Sequence, residues 1–186
     1  MSVSKLNNIV KACLSGDSKA QAQLYKQYAS RLYALCLRYT NNEDKARDIL
    51  QEGFIKIFEK LGQYKNTGSL EGWMRKIVVN TALEKIRKES RFVLVEDETM
   101  IENDKYKYEH VLEDIERNEL LGMIKELSLQ YRMVFNLYAI EGYSHKEISK
   151  KLNISEGTSK SNLSRARELL KSKIETRYKI KFGKVI

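Results

Sequence analysis

Apolar residues recur at three- and four-residue spacing through most of the chain, which is the periodicity of amphipathic α-helices. In the first 88 residues the pattern predicts four helices, and Ser4 and Ser18 are the expected N-caps of the first two, with Ser18 and Gln21 forming a capping box. We expect them to begin after Ser4, at Ser18, at Glu43 and at Leu70, and to end at Gly16, Thr40, Leu61 and Lys88. Leu14 and Tyr25 fall on the inward stripes of the first two. Proline is absent, which permits long helices and an all-α fold.

The third predicted helix has the most regular inward stripe and an unusual outer face. The outer face carries Asp48, Gln51, Glu52 and Ile55, so one isoleucine lies beside two carboxylates and an amide. Single exposed apolar residues are common, and the pattern alone favours a solvated face with one stray apolar side chain.

A polar loop from Gly62 to Ser69 precedes the fourth helix, and Ser69 is its predicted N-cap. The buried stripe of that helix includes Trp73 and Met74. Cations and an amide lie outside the stripe: Arg75, Lys76, Asn80, Arg87 and Lys88. With the loop tyrosine they form a mixture that suits unstacked single-stranded bases, although an ordinary solvated face is the alternative.

Residues 142–173 have the pattern of a helix-turn-helix. Ser144 and Glu147 form a capping box, Asn153 suits a left-handed turn, and Ser155 caps a second helix from about Glu156. The second helix has an inward stripe and an opposite polar face flanked by Lys160 and Asn162. The stripe is Ser159, Leu163, Ala166 and Leu170, and the polar face is Ser161, Ser164, Arg165 and Glu168. Such a face fits the DNA major groove, whereas a helical hairpin with a solvated face is the simpler alternative.

The remaining pattern divides the chain into two helical domains. Residues 89–115 are acidic and lack sustained periodicity, which is typical of a flexible linker between domains at 1–88 and 116–186. Two helices, the second capped by Ser128 and ended by Gly142, supply the core beneath the helix-turn-helix. The last ten residues are expected to fray.

Charge distribution adds a preference for a polyanionic partner. The formal net charge is +9, with +8 in residues 1–88, −7 in residues 89–120 and +8 in residues 144–186. Two cysteines and two histidines form no metal-ligand cluster, and no catalytic set or Gly-rich phosphate loop is present. We therefore expect no enzyme activity, metal or cofactor. No membrane span or signal peptide is recognisable, so the expected location is the cytoplasm.

Three segments, in order, resemble a bacterial sigma factor of the extracytoplasmic-function (ECF) class, in the family of the primary sigma factor. They are ARDILQEGFIKIFEKL (46–61), SLEGWMRKIVVNTALEKIRKE (69–89) and EGYSHKEISKKLNISEGTSKSNLSRARELL (141–170). In that family they correspond to a polymerase-binding helix, a minus-10 element that melts DNA, and a minus-35 reader. The resemblance covers nearly the whole chain.

The resemblance implies roles for particular residues and reverses the simpler interpretation of the third helix. Binding of core polymerase would fall to Asp48, Gln51, Glu52 and Ile55. Minus-10 DNA would be held by Tyr64, Lys65, Asn66, Ser69, Trp73, Arg75, Lys76 and Asn80. Minus-35 DNA would meet Lys160, Ser161, Asn162, Ser164, Arg165 and Arg167. Relatives often have valine at Ser159, arginine at Lys160 and Asn162, and proline at Ser128, so base preference does not carry over.

The implied function is a monomeric initiation subunit whose partners are core RNA polymerase and promoter DNA. Family members are often held by a membrane-anchored anti-sigma factor, which is a further candidate partner; insertion of this chain itself into a membrane is not expected. The main alternative is a free-standing dimeric helix-turn-helix regulator, which would bind a palindrome without polymerase. An α-helical adaptor that binds only proteins is another.

Overall fold

The computed structural model describes residues 3–89 and 117–178, and every regular element in those two ranges is helical. Contacts divide the chain into two compact units, Met1–Arg91 and Phe92–Ile186. The all-α, two-unit architecture predicted from the periodicity is confirmed. The acidic segment predicted as a linker and the last eight residues lie outside the described ranges.

The first unit contains four α-helices: α1 (Val3–Leu14), α2 (Ser18–Thr40), α3 (Glu43–Lys60) and α4 (Leu70–Glu89), with a 3-10 turn at Leu61–Gln63. Helix α2 packs against the other three, and α3 packs against α4. The core is formed where these helices meet and includes Leu24, Leu32, Leu35, Tyr39, Ile49, Ile57, Met74 and Val78.

Helix α4 is buried over a wider arc than its periodicity predicts. Val79 and Leu83 are buried in addition to the expected stripe, because α4 lies against both α2 and α3. The contact with α3 is close at Gly53, where an added Cβ would lie 3.0 Å from Cγ2 of Val78. Glycine at this position therefore lets the two helices approach.

Several local features of the first unit differ from the sequence expectations. Helix α1 begins at Val3, before the predicted cap. The N-cap of α2 is Asp17 and not Ser18, because the Asp17 carboxylate accepts bonds from the N–H groups of Lys19 (2.8 Å) and Ala20 (3.2 Å). Leu14 and Tyr25, predicted to point inward, are exposed. The expected end of α2 is confirmed, with Asn41 in the left-handed conformation.

The second unit contains α5 (Arg117–Lys125), α6 (Leu129–Phe135), α7 (His145–Leu152) and α8 (Glu156–Tyr178), and a π-helical turn at Asn136–Ile140 continues α6. Its core comprises Met123, Ile124, Leu127, Ala166, Leu170 and Ile174. Ser128 occupies the N-cap position of α6, as predicted. Its side chain makes no capping hydrogen bond, so the predicted capping interaction is absent. Gly142 ends the segment with a positive φ of 76°, as expected.

A buried arginine holds the α5–α6 connection. Arg132 is almost fully buried and donates from Nη1 to the carbonyl oxygens of Lys125 (2.8 Å) and Leu127 (3.4 Å). These carbonyls lie at the C-terminal end of α5, where helix carbonyls lack intrahelical partners and a cation is favoured. Burial lowers the pKa of Arg132, which remains a cation near neutral pH.

The helix-turn-helix forms through the hydrogen bonds that its sequence predicts. Ser144 N–H donates to Oε2 of Glu147 (2.9 Å), and Glu147 N–H donates to the Ser144 hydroxyl (3.3 Å). Asn153 ends α7 in the left-handed conformation. The Ser155 hydroxyl accepts from Thr158 N–H (2.9 Å) at the start of α8. All three caps are confirmed, and α7 and α8 pack directly against each other.

Candidate polymerase-binding and DNA-binding surfaces

The outer face of α3 exposes an isoleucine among polar side chains. Ile55 is 52% exposed, and Asp48 and Gln51 are exposed beside it. The inward stripe of α3 fills the core, which leaves these three side chains at the surface, with Asp48 3.8 Å from Lys85 of α4. The predicted arrangement of these three side chains is therefore present.

Glu52 differs from its neighbours because it participates in an ion-pair network between α3 and α4. Its carboxylate lies 2.9 Å from Nζ of Lys56 and 3.7 Å from Nζ of Lys85. Lys56 also contacts Glu84 at 2.7 Å, and Lys85 lies 3.8 Å from Asp48. The hydrogen bond from Lys56 lowers the pKa of the Glu52 carboxyl, although partial burial opposes this shift. Glu52 thus contributes to the fold as well as to the outer face.

The loop before α4 is closed by its own tyrosine. The Tyr64 hydroxyl donates to the Gly68 carbonyl oxygen (2.5 Å), and the Tyr64 and Trp73 rings lie 5.6 Å apart with a tilt of 45°. Ser69 accepts from Gly72 N–H at 3.0 Å and so caps α4 as predicted. The loop leaves Lys65 and Asn66 exposed, with Asn66 in the left-handed conformation.

The predicted minus-10 residues of α4 do not all share one side. Ser69, Trp73, Lys76 and Asn80 recur at intervals of three and four residues and so follow one side of the helix. Lys76 and Asn80 are exposed there, and Trp73 is half-buried. Arg75 projects from a different side. Of these two cations, Lys76 lies on the same side of α4 as Ser69 and Asn80, and Arg75 does not.

The outer side of α8 carries an accessible polar row. Lys160 is exposed, and Ser161, Ser164, Arg165 and Arg167 are partly exposed. The guanidinium of Arg165 lies 3.0 Å from the Glu168 carboxylate one turn further along. These placements agree with the predicted outward face.

Asn162 is a correction to the predicted minus-35 set, because its side chain is only 7% exposed. The buried surface of α8 is wider than the four-residue stripe and takes in Asn162 at its edge. Asn162 is therefore much less accessible to DNA than Ser161 and Arg165, which are partly exposed.

A polar contact between α7 and α8 was not predicted from the sequence. Nδ1 of His145 lies 2.9 Å from the Ser159 hydroxyl, which is fully buried, and the Tyr138 ring stacks on the imidazole at 4.6 Å. The Arg167 guanidinium lies 5.7 Å from the centre of the same Tyr138 ring. Serine at position 159 thus has a buried partner. The signal in the sequence was a polar residue on an otherwise apolar stripe.

Within the described residues no group of histidine, cysteine and acidic side chains is arranged to hold a metal ion. In the same residues no helix is long and apolar enough to cross a membrane. Cys36 is fully buried, and burial raises the pKa of its thiol to about 12, so this thiol stays protonated near neutral pH.

Comparison with known families identifies both units. The family model for Sigma-70 region 2 matches residues 24–92, and that for Sigma-70 region 4 matches residues 117–170. Among curated proteins, ECF RNA polymerase sigma factor SigE of Mycolicibacterium smegmatis is 30% identical over 164 residues. The chain belongs to the ECF sigma factor family. This sigma factor is accordingly a DNA-binding initiation factor that directs RNA polymerase to promoters, and not an enzyme.

This sigma factor matches different shares of the length of its relatives. The match to SigE covers 84% of this chain and 63% of SigE, just under two thirds. SigW of Bacillus subtilis is 28% identical over 176 residues, covering 89% of this chain and 94% of SigW. In fold the chain is similar to the sigma factor RpoE of Bartonella quintana, solved with the anti-sigma factor NepR. That likeness has a TM-score of 0.51 at 23% identity and covers 87% of this chain and 98% of RpoE.

The pairing of Glu52 predicts a pH-dependent contribution to stability. Its carboxyl pKa is lower in the folded state than in the unfolded chain, so the stabilisation is present above the unfolded value of about 4.3 and is lost as pH falls through the folded pKa. Glu52→Gln should lower the free energy of unfolding at pH 7 by less than about 1 kcal/mol, since the pair is partly screened. The difference between the two proteins should be smaller at about pH 3 than at pH 7, because the Glu52 carboxyl loses its charge as pH falls.

Urea unfolding at both pH values measures this difference, and Glu59→Gln is the matched control because Glu59 is an exposed carboxylate of α3 that forms no ion pair within the described residues. An equal loss in both variants at pH 7 would contradict the special position of Glu52.

Proposed function

We propose that this sigma factor binds core RNA polymerase through the outer face of α3 and reads promoter DNA with both units. The first unit would hold melted minus-10 DNA, and the helix-turn-helix would read the minus-35 duplex. The observation that carries the proposal is the order of three surfaces along the chain: the exposed α3 face, the loop with the α4 row, and the outer face of α8. These match in order the segments that carry the resemblance.

The proposal includes the domain boundaries and the cellular setting. Residues 1–88 and 116–186 would act as separate domains tethered by residues 89–115. The protein would act as a monomer in the cytoplasm, where polymerase and promoters are found. We infer that the ECF class shares the family of the primary sigma factor.

The α3 face suits a protein partner because it combines one exposed apolar side chain with carboxylates. Ile55 would supply buried apolar area at the centre of the contact, and Asp48 and Gln51 would surround it. Glu52 would stand at the edge, already paired with Lys56. Because the core does not use Ile55, its replacement should separate binding from folding.

Ile55→Lys should abolish co-purification with core polymerase while leaving the thermal unfolding temperature within a few degrees of the native value, because a charge would enter the centre of the contact. Leu14→Lys is the matched control: Leu14 is 54% exposed and Ile55 is 52% exposed, but Leu14 lies on α1. If both variants retained polymerase equally, the α3 face would not be the docking surface.

The loop and the α4 row suit unpaired bases. The Tyr64 and Trp73 rings offer faces for stacking, the Asn80 amide offers an edge for hydrogen bonds, and Lys76 offers a cation for phosphate. The Tyr64–Gly68 hydrogen bond holds the loop in one shape before DNA arrives. A preformed loop lowers the entropy cost of capturing a base.

Asn80→Ala should slow open-complex formation on a duplex promoter by about tenfold or more, and should have a much smaller effect on a template with a pre-melted bubble. Permanganate footprinting of both templates measures the difference. An equal defect on the two templates would place Asn80 in recruitment or folding.

The outer face of α8 suits direct reading of base edges. Arg165 projects away from Leu163 and Ala166, which are buried, and its guanidinium is oriented by Glu168. Arginine oriented in this way favours a two-bond contact with guanine. Asn162 is left out of this set because it is buried.

Arg165→Ala should cost about 1–3 kcal/mol in binding and relax preference at one base pair of the minus-35 element. A randomised minus-35 library selected with polymerase holoenzyme measures the preference. Arg177→Ala is the matched control, since Arg177 is exposed further along the same helix. An unchanged preference profile for Arg165→Ala would refute the proposed orientation of α8.

Run-off transcription with and without core polymerase tests the function as a whole. A sigma factor gives promoter-specific transcripts only with the core enzyme, whereas a dimeric regulator protects a palindrome by itself. RpoE of Bartonella quintana, which is similar in fold, was solved with the anti-sigma factor NepR, and we propose that an anti-sigma factor is a partner of this chain also.

A further inference from the structure

A polar cavity of about 180 Å³ opens beside the helix-turn-helix. It is lined by Tyr138, His145, Lys160, Leu163, Ser164 and Arg167. The π-helical turn contributes one wall, the first turn of α7 another, and α8 the floor. Five of the six side chains carry a polar atom, so the cavity is built for a polar ligand.

Two cations of this cavity lack an acidic partner. Within residues 119–178 no carboxylate lies within ion-pair distance of Lys160 or Arg167. Arg165, on the neighbouring side of α8, is paired with Glu168. Arg167 is instead held over the Tyr138 ring, which orients a guanidinium without neutralising it. The cavity is therefore electropositive.

His145 contributes a hydrogen-bond donor that is already oriented. Its Nδ1 is engaged by the Ser159 hydroxyl at 2.9 Å, and its ring is stacked on Tyr138. When Nδ1 accepts from Ser159, the other ring nitrogen carries the proton. The ring also lines the cavity, so in that tautomer, and in the imidazolium, an N–H group is available to an acceptor there.

The position of the cavity relative to α8 indicates the source of an anion. Lys160, Ser164 and Arg167 follow one side of the helix at i, i+4 and i+7. The adjacent row contains Ser161 and Arg165, which would face base edges. In a recognition helix, the side next to the base-reading row is the side along which the sugar-phosphate backbone runs.

We propose that His145, Lys160, Ser164 and Arg167 form a receptor for one phosphate of the DNA backbone at the minus-35 element. This inference rests on the proposed function of α8 and adds a residue from α7 to it. The ammonium, guanidinium, hydroxyl and imidazole groups are four donors to one phosphate, an arrangement that fixes the register of α8 without reading a base.

The receptor has a consequence for proton binding. In the free protein, burial lowers the pKa of His145, and the charges of Lys160 and Arg167 lower it further, whereas Glu156 opposes them. Tyr138, on the packed π-helical turn, is uncharged. A bound phosphate offsets the two cations and raises the histidine pKa, so binding takes up protons. Affinity should therefore increase as pH falls from about 8 to about 6.

Single-phosphate replacement in promoter DNA locates the contact. With polymerase holoenzyme, one neutral methylphosphonate in the minus-35 backbone should weaken wild-type binding by about tenfold. The same replacement should cost clearly less in Arg167→Gln or Lys160→Gln, because one of the cations that contact this phosphate has gone. Lys150→Gln, which removes an exposed cation of α7 outside the cavity, should retain the full penalty. Equal penalties in all four proteins would overturn the proposal.

Two variants of His145 distinguish its role in the cavity from its role in packing. Asn at position 145 can keep the bond to Ser159 but removes the cavity donor, and Gln does the reverse. His145→Asn should abolish the pH dependence of DNA binding and reduce the penalty at the identified phosphate, whereas His145→Gln should retain the full penalty. His145→Asn should unfold near the wild-type temperature, whereas His145→Gln should unfold at a lower temperature because the buried Ser159 hydroxyl loses its partner. A pH dependence unchanged in His145→Asn would contradict the proposed role of the imidazole.

A further experiment tests whether the cavity binds a phosphate of DNA or free inorganic phosphate. Titration of the full chain with inorganic phosphate, followed by the NMR signals of His145, should show saturation only far above the concentration at which promoter DNA saturates. Tight binding of inorganic phosphate with no methylphosphonate effect would overturn the DNA assignment. If the wild-type protein gave no promoter-specific transcription, the proposed function itself would be refuted. Failure of the phosphate receptor and failure of the proposed function therefore give different results.

Discussion

The first unit depends on the close approach of α3 and α4 at Gly53. A side chain at that position would meet Val78 at 3.0 Å, and a wider separation would move Lys85 and Glu84 away from Glu52 and Lys56. One small residue in the core thus allows the close approach at which the ion-pair network on the surface forms. It also fixes where the exposed isoleucine of α3 lies relative to the row along α4, so two proposed binding surfaces share one rigid support.

The second unit is organised by backbone groups that side chains satisfy. Arg132 donates to two carbonyl oxygens at the end of α5, and Ser144 and Ser155 accept N–H groups at the starts of α7 and α8. These bonds set the directions of short helices whose own stability is small. Apolar packing by Met123, Ala166 and Leu170 then holds them together. The result presents one face of α8 outward.

Interactions between residues close in sequence could be predicted, whereas those between different helices could not. The capping box at Ser144 and the left-handed Asn153 involve groups within four residues, so the pattern was sufficient for them. The burial of Asn162 and the pairing of Glu52 with Lys85 depend on which helices become neighbours, and no local pattern contains that information. Asp17 displaced Ser18 as a cap because both were suitable and a carboxylate is the stronger acceptor beside positive backbone dipoles. The His145–Ser159 contact spans fourteen residues and needed the turn geometry first.

That contact also bears on how this helix-turn-helix can change in evolution. A buried hydroxyl without a partner is costly, and so is a ring nitrogen turned toward an apolar neighbour. Neither His145 nor Ser159 is therefore free to mutate alone to an apolar residue without passing through a less stable intermediate. Lineages that carry valine at the second position should carry a residue at the first that needs no buried partner. The contact couples the two positions, so transfer of the α8 face between relatives would require a compatible residue on α7 as well.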